Sequence, residues 1–282
     1  MTEDPSPADL FADVDSLEAC VGTRPAGSHL KSIPYLDEHC HTLLAASPFA
    51  LVGHVDAGGA VHTTAIGGDA GVLAPKGDAA VTLPRLGLAD GAAIGVLSFV
   101  PGYRETLRVN GRFRAGDSPR LQVEEAFLHC AKALIRSTFW SEPATTHPPD
   151  VLATGTTDLA NPAVTTFFEA CPFVALSSVD AAGNADVSPK GDPAGMVAQV
   201  VDGRTVAIAD RPGNRRTDTM HNLVENDAIG LLAMIPGRTE VIEVRGRAGV
   251  TADEAIRARF AVAGKIPNAA IVIDPDHVEV RV

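Results

Sequence analysis

The chain has 282 residues, enough for two ordinary domains, and 45% hydrophobic content with a mean hydropathy of +0.11 marks a globular protein with an ample core. A formal net charge of -12 and a pI near 5.1 weigh against nucleic acid or an anionic membrane as partner, because both demand a broad basic surface. Cys20, Cys40, Cys130 and Cys171 show no CxxC spacing and read as reduced thiols. The first residues lack the basic and apolar segments of a signal peptide, and no later apolar run has the length of a membrane span, so a cytoplasmic protein is expected.

Residues 1–15 are rich in proline and acidic residues and are expected to be poorly ordered, with a short helix over Asp15–Cys20. Leu36–Ala45 predicts an amphipathic helix with Leu36, Cys40, Leu43 and Leu44 on one face. Within it, His39-Cys40-His41 resembles a metal motif, but successive helical residues point about 100° apart and cannot converge on one ion, so no metal site is expected. Strands follow at Phe49–Val52, Gly59–Thr63, Ala79–Leu83, Ala93–Val100 and Glu105–Phe113, punctuated by Gly, Pro and Asp. Arg108, Asn110 and Arg112 alternate along the last of these and share one side, where outward-facing charges are the default.

Leu121–Trp140 reads as helical. On such a helix His129, Lys132 and Arg136 fall at i, i+3 and i+7, opposite Phe127, Ala131, Leu134 and Ile135, as either a solvated polar stripe or one wall of a ligand site. Residues 141–150 carry three prolines and no periodicity and mark a linker.

Beyond the linker the chain repeats itself. Ser47–Gly59 aligns without gaps to Cys171–Gly183 at an offset of 124, and Ala93–Glu105 aligns to Ala228–Glu240 at an offset of 135. The pattern divides the chain into an N-terminal extension (1–30), a first β copy (31–140), a linker (141–160) and a second β copy (161–282).

The eleven-residue difference in offset falls where the second copy carries Asp210-Arg-Pro-Gly-Asn-Arg-Arg-Thr-Asp-Thr-Met-His-Asn222. Pro212-Gly213 reads as a turn, Thr217 or Asp218 as an N-cap and Thr219–Glu225 as a short helix, so Arg215 and Arg216 approach a helix N-terminus. That is an anion site in outline, or else a solvated loop. The second copy also has Lys190 in Ser188-Pro-Lys-Gly-Asp192, where the first has Thr64-Ala-Ile-Gly-Gly68. Lys76, in Pro75-Lys-Gly-Asp78, lies in the wrong register and reads as a turn residue.

Val187–Pro193, Asp210–Asp218 and Glu240–Arg247 resemble the pyridoxamine 5'-phosphate oxidase-like family of flavin-binding split β-barrels. Val123–Trp140 is similar to the C-terminal helix motif of one branch described as FMN-dependent enzymes. The resemblance implies a mainly β (α+β) fold of two tandem split β-barrels forming an intrachain pseudo-dimer, a monomer or weak homodimer with a small-molecule substrate. It places the FMN phosphate on Lys190 and Arg216, with Ser188 and Arg215 close by, and leaves His129, Lys132 and Arg136 as the second wall. Because the first copy lacks the phosphate elements, one composite site per chain is expected. The reading is an FMN-dependent oxidoreductase with no catalytic residue assigned. Haem or a deazaflavin in place of FMN, and a non-catalytic flavin- or anion-binding module, stand as alternatives. Arg104 and Arg112 lie near the expected seam, His221 could approach the flavin or be exposed, and His54 and His62 read as structural. No Ser-His-Asp spacing, nucleophile elbow or Walker loop is present.

Overall fold

A computed structural model describes residues 9–25, 27, 31–141, 152–211, 213 and 216–282. The polypeptide forms α1 (Val14–Val21), α2 (Glu38–Ala46), β1 (Phe49–Val55), β2 (Val61–Gly67), β3 (Ala80–Thr82), β4 (Ala93–Phe99), β5 (Thr106–Arg114), β6 (Arg120–His129) and α3 (Lys132–Arg136). The second half adds β7 (Gly155–Thr157), α4 (Pro162–Ala170), β8 (Phe173–Val179), β9 (Ala185–Gly191), β10 (Ala198–Val201), β11 (Thr205–Ala209), α5 (Asp218–Glu225), β12 (Ala228–Met234), β13 (Val241–Thr251), α6 (Glu254–Ala258) and β14 (Ala270–Arg281). All strand pairs are antiparallel, in two sheets ordered β2-β1-β4-β5-β6-β3 and β10-β11-β14-β13-β12-β8-β9, with β7 beside β14.

The register shows that the sheets are copies of one split barrel. Gly53 pairs with Gly95 as Ser177 pairs with Gly230, and Leu97 pairs with Arg108 as Leu232 pairs with Glu243. Each barrel has one bulge at the same place, after Asn110 in the first and after Arg245 in the second. Carried through the ladders, Arg108 is equivalent to Glu243, His129 to Arg281 and Asp186 to His62.

Each barrel has its own apolar core, and a third core lies between them. Ala50, Val52 and Val96 face the first interior, while the alternating Leu51, Leu97 and Phe99 pack with Phe173, Ala175, Val187 and Leu232 across the seam. Burial on both faces explains why β1, β4, β8 and β12 read as continuous apolar runs rather than half-buried alternations. The backbones come close there: a Cβ on Gly53 would overlap the Ser177 side chain, and these residues occupy equivalent positions.

The helix expected over Leu121–Trp140 is a correction. Residues 120–129 form β6, and only Lys132–Arg136 is α-helical. The bulge is the physical reason: Leu121 and Val123 alternate inward, the register then shifts by one, and Ala126 and Phe127 are buried together, which imitates helical spacing. His129 therefore ends a strand and does not share a helix face with Lys132 and Arg136. The Asp15–Cys20 and Leu36–Ala45 expectations correspond to α1 and α2, where Asp37 accepts a capping bond from the Cys40 N–H at 2.8 Å. Leu17 of α1 is buried in the second core, and Gly155–Thr157, inside the stretch read as a linker, pairs with β14. Residues 142–151 of that stretch and the first eight residues lie outside the described residues. Among the described residues no helix is long and apolar enough to cross a membrane.

Candidate functional site

A cavity of ≈ 760 Å³ opens where the C-terminal end of β9 meets the end of β6 and α3. Barrel one contributes Arg108, His129, Cys130, Lys132, Ala133 and Arg136 to its wall. Barrel two contributes Ser188 and Lys190 of β9, Asp210 and Arg211 after β11, the Arg216–Met220 turn into α5, and the 262–268 loop after α6. The cavity thus brings together Ser188, Lys190, Arg216, His129, Lys132 and Arg136. Arg215 lies outside the described residues. A tight contact fixes the two halves: a Cβ on Gly191 would overlap the Ala133 carbonyl oxygen, so only glycine lets β9 sit this close to α3.

Seven basic side chains line the cavity against three carboxylates, a local cationic excess in a chain of net charge -12. The bases differ in what they hold. Among the described residues none hydrogen-bonds or ion-pairs with the Lys190 ammonium, and burial pushes its pKa down, with Asp210 only partly offsetting this. Lys132 is exposed at the rim. Arg211 is structural, paired with Asp192 and donating to the Phe260 carbonyl at 2.8 Å.

Arg216 is buried and heavily engaged. Its Nε donates to Asp218 at 2.7 Å, its Nη2 to Glu125 at 3.2 Å, and its guanidinium carbon lies 3.8 Å from the Phe127 ring centroid. Burial alone would lower its pKa, but Asp218 and Glu125 outweigh burial and raise it. For Asp218, burial pushes upward and Arg216, Arg108 and Arg24 together hold the carboxyl below its ordinary value. Thr217 caps α5 in the left-handed conformation, φ 55, without a side-chain capping bond. The arginine thus reaches the cavity as part of an ion-pair wall.

Sequence reasoning missed the deepest members. Arg108, expected to face outward, is 1% exposed and pairs across the seam with Asp186 at 2.6 Å. No pattern in β5 distinguishes an outward arginine from one covered by a second barrel, so only the duplication itself could have signalled a covered face. Arg112 also crosses the seam, donating to the Gly183 carbonyl at 2.8 Å, whereas Arg104 is exposed. His221 is buried on α5 and pairs with Glu18 at 3.1 Å, away from the cavity lining. Lys76 is exposed and does not reach the cavity. His41 pairs with the exposed Asp78, and Cys40 is buried in the first core.

The equivalent position on the other side of the seam is filled with charge. His62 ring nitrogens lie 3.0 Å from Glu243 and 2.9 Å from Asp56, Arg281 forms an ion pair with Glu243 at 2.8 Å, and His54 stacks on His62 at 4.9 Å. Burial and the adjacent His62 push His54 down to about 4, while hydrogen bonds to Glu243 and Asp56 raise His62 above its ordinary value.

A family model described as pyridoxamine 5'-phosphate oxidase matches residues 160–281. Among solved structures, HupZ from Group A Streptococcus is similar at 17% identity, covering 40% of this chain and 87% of that one with a TM-score of 0.35. General stress protein 26 from Bacillus anthracis is similar at 19% identity, covering 41% of this chain and 88% of that one, with a TM-score of 0.34. An FAD binding protein from Mycobacterium smegmatis gives 16% identity over 41% of this chain and 88% of that one, with a TM-score of 0.30. No curated protein matches the chain.

Proposed function

We propose that the chain, whose residues 160–281 match the pyridoxamine 5'-phosphate oxidase family model, is a member of that family, and that the cavity between its barrels binds one FMN per chain and serves an oxidoreductase acting on a small organic molecule. The observation that carries the reading is Lys190, a half-buried lysine whose ammonium has no hydrogen-bond partner among the described residues, in a cationic cavity of a size suited to a small-molecule cofactor. Such a group is costly to bury alone and is relieved by an anion. A phosphate dianion fits that demand, and Ser188 and Lys132 stand beside it as further donors.

In this reading Lys190 is the principal anchor, Ser188 and Lys132 complete the phosphate grip, and Arg136 adds positive potential beside Asp192 and Asp210. Arg216 acts as the wall that keeps Asp218 and Glu125 neutralised, so that the cavity stays cationic. When bound, the flavin supplies two-electron transfer to or from a substrate, and no protein nucleophile is required. The protein's own contribution is to hold the phosphate, orient the ligand between β9 and α3, and exclude water with side chains from both barrels.

The test is the visible absorption spectrum of the purified protein with and without added FMN, with bound stoichiometry measured on a monomer. A flavin spectrum at one per chain supports the composite site, and turnover with a reduced nicotinamide or an organic donor supports the enzyme. A Soret band moves the reading to haem, two flavins per chain defeat the single-site reading, and no chromophore with added FMN defeats the flavin altogether. Stoichiometric flavin without turnover leaves a binding module.

A further inference from the structure

Arg108 joins both barrels to the edge of the cavity. Its Nη1 donates to Asp186 at 2.6 Å and its Nη2 to His129 Nδ1 at 3.0 Å, with the Phe127 ring centroid 5.0 Å from its guanidinium carbon. A guanidinium has only donors and keeps its proton at any ordinary pH. The imidazole nitrogen that faces it must therefore present a lone pair, whichever way round the ring is drawn. An imidazolium would set donor against donor. The proton of the neutral ring is left on the far nitrogen, Nε2. His129 borders the cavity, and among the described residues none hydrogen-bonds with Nε2.

We propose that Arg108, itself held by Asp186 of the second barrel, fixes His129 as a neutral, single-tautomer hydrogen-bond donor into the cavity, so that the ligand atom recognised there is a lone-pair acceptor such as a carbonyl, phenolate or phosphate oxygen. Arg108 is the positioning residue and His129 the contact. The surroundings reinforce the arrangement. Burial comes first, and the charged groups acting on the ring, Arg108 of β5, Lys190 of β9 and Arg216 before α5, are all cations, which holds His129 well below the ordinary histidine value. The nearby carboxylates are already engaged: Asp186 by Arg108, and Glu125 and Asp218 by Arg216.

The other side of the seam shows what the arrangement is not. There the central residue is Glu243, an acceptor, and both its neighbours, Arg281 and His62, are drawn toward it. Both ring nitrogens of His62 are engaged there, by Glu243 and Asp56, so no counterpart of the His129 donor results from this cluster.

The inference uses the cavity of the flavin reading, but its first readout needs no flavin. Long-range ¹H–¹⁵N correlation spectra of the labelled protein, from about pH 5 to 8, report each ring nitrogen of His129. The expected spectrum shows a protonated Nε2 and a lone-pair Nδ1 across the range. A protonated Nδ1, or an imidazolium titrating in the ordinary histidine range, overturns the proposal. In Arg108→Lys, where a point charge cannot hold both partners, tautomer exchange or ordinary titration should reappear; an unchanged spectrum overturns the positioning role. Asp186→Asn gives the same comparison if Arg108→Lys does not fold. For ligand recognition the probe is FMN: His129→Leu should weaken binding about five- to tenfold, while His129→Gln, which restores an N–H donor, should stay within about threefold of wild type. Equal losses in both overturn the donor role. Failure of the wild type to bind FMN defeats the flavin reading and leaves the ring-nitrogen result standing.

Discussion

Replacing Lys190 with methionine should move stability and affinity in opposite directions. The substitution keeps the length and most of the volume of the side chain, so packing against α3 changes little. What it removes is a half-buried ammonium whose cost, from desolvation and the nearby Arg108, exceeds the attraction of Asp210, Asp186 and Asp218. The protein without ligand should therefore become more stable. The gain has a defined pH dependence. A lysine whose folded-state pKa is lowered binds fewer protons than the unfolded chain, so its penalty is present in full below the folded value. The penalty shrinks as pH rises from there to the ordinary lysine value and is gone above it. The stability difference between variant and wild type should narrow over that alkaline window. Affinity goes the other way: losing one charge-assisted contact of about 1.5–3 kcal/mol raises the FMN Kd by about 10- to 150-fold. Urea unfolding of the ligand-free proteins and fluorescence titration with FMN read the two effects. A variant less stable than wild type by about 1 kcal/mol or more, or one that binds FMN as tightly, refutes the reasoning.

Arg216→Ala should act first on the fold, destabilising the protein by about 3 kcal/mol in urea unfolding, the low end for a broken buried pair because Glu125 is 32% exposed; an undiminished unfolding midpoint would show that the ion-pair wall carries no stability. Gly191→Ala forces β9 and α3 apart and should cost about 1–3 kcal/mol while loosening FMN, seen as a lower melting temperature and a higher Kd together. At the filled side of the seam, His54 is neutral when folded, so stability falls as pH drops from the ordinary histidine value towards about 4, and His54→Asn should flatten that decline in melts taken across pH. His62 works with the opposite sign: its raised pKa gives stability that is full below the ordinary histidine value and lost as pH rises through the folded one, so His62→Gln should remove the loss on the alkaline side.

The duplication was legible because turn residues and apolar runs recur in the same order, and the ladders reproduce both offsets, from Gly53 and Ser177 to Leu97 and Leu232. Six of the expected site residues meet at one cavity for a related reason: Lys190 and Arg216 stand where the copies differ. What stayed hidden was hidden by the bulge and by the seam. One shifted residue after Asn110 turned the period of β6 into a helical one, and His129 was placed on the wrong element. Arg108 shows the second limit, since its strand looks half exposed until the partner barrel covers it. Arg216 shows a third: a basic residue in a sequence does not reveal whether its donors await a ligand or already hold Asp218 and Glu125.

The inverted charges along the seam also govern which halves can recognise each other. Two copies of the first barrel placed in this arrangement would set Arg108 against His62 and leave the buried guanidinium without the carboxylate that Asp186 supplies. Two copies of the second would set Glu243, fully buried, against Asp186, carboxylate facing carboxylate. The first self-association would bury an arginine without a carboxylate and the second would bury like charges, whereas the fused pair buries complementary ones. Identical subunits could never hold both patterns, because a change in one site would be copied into the other. In the fused chain the two halves carry opposite patterns, each complementary to the other rather than to itself.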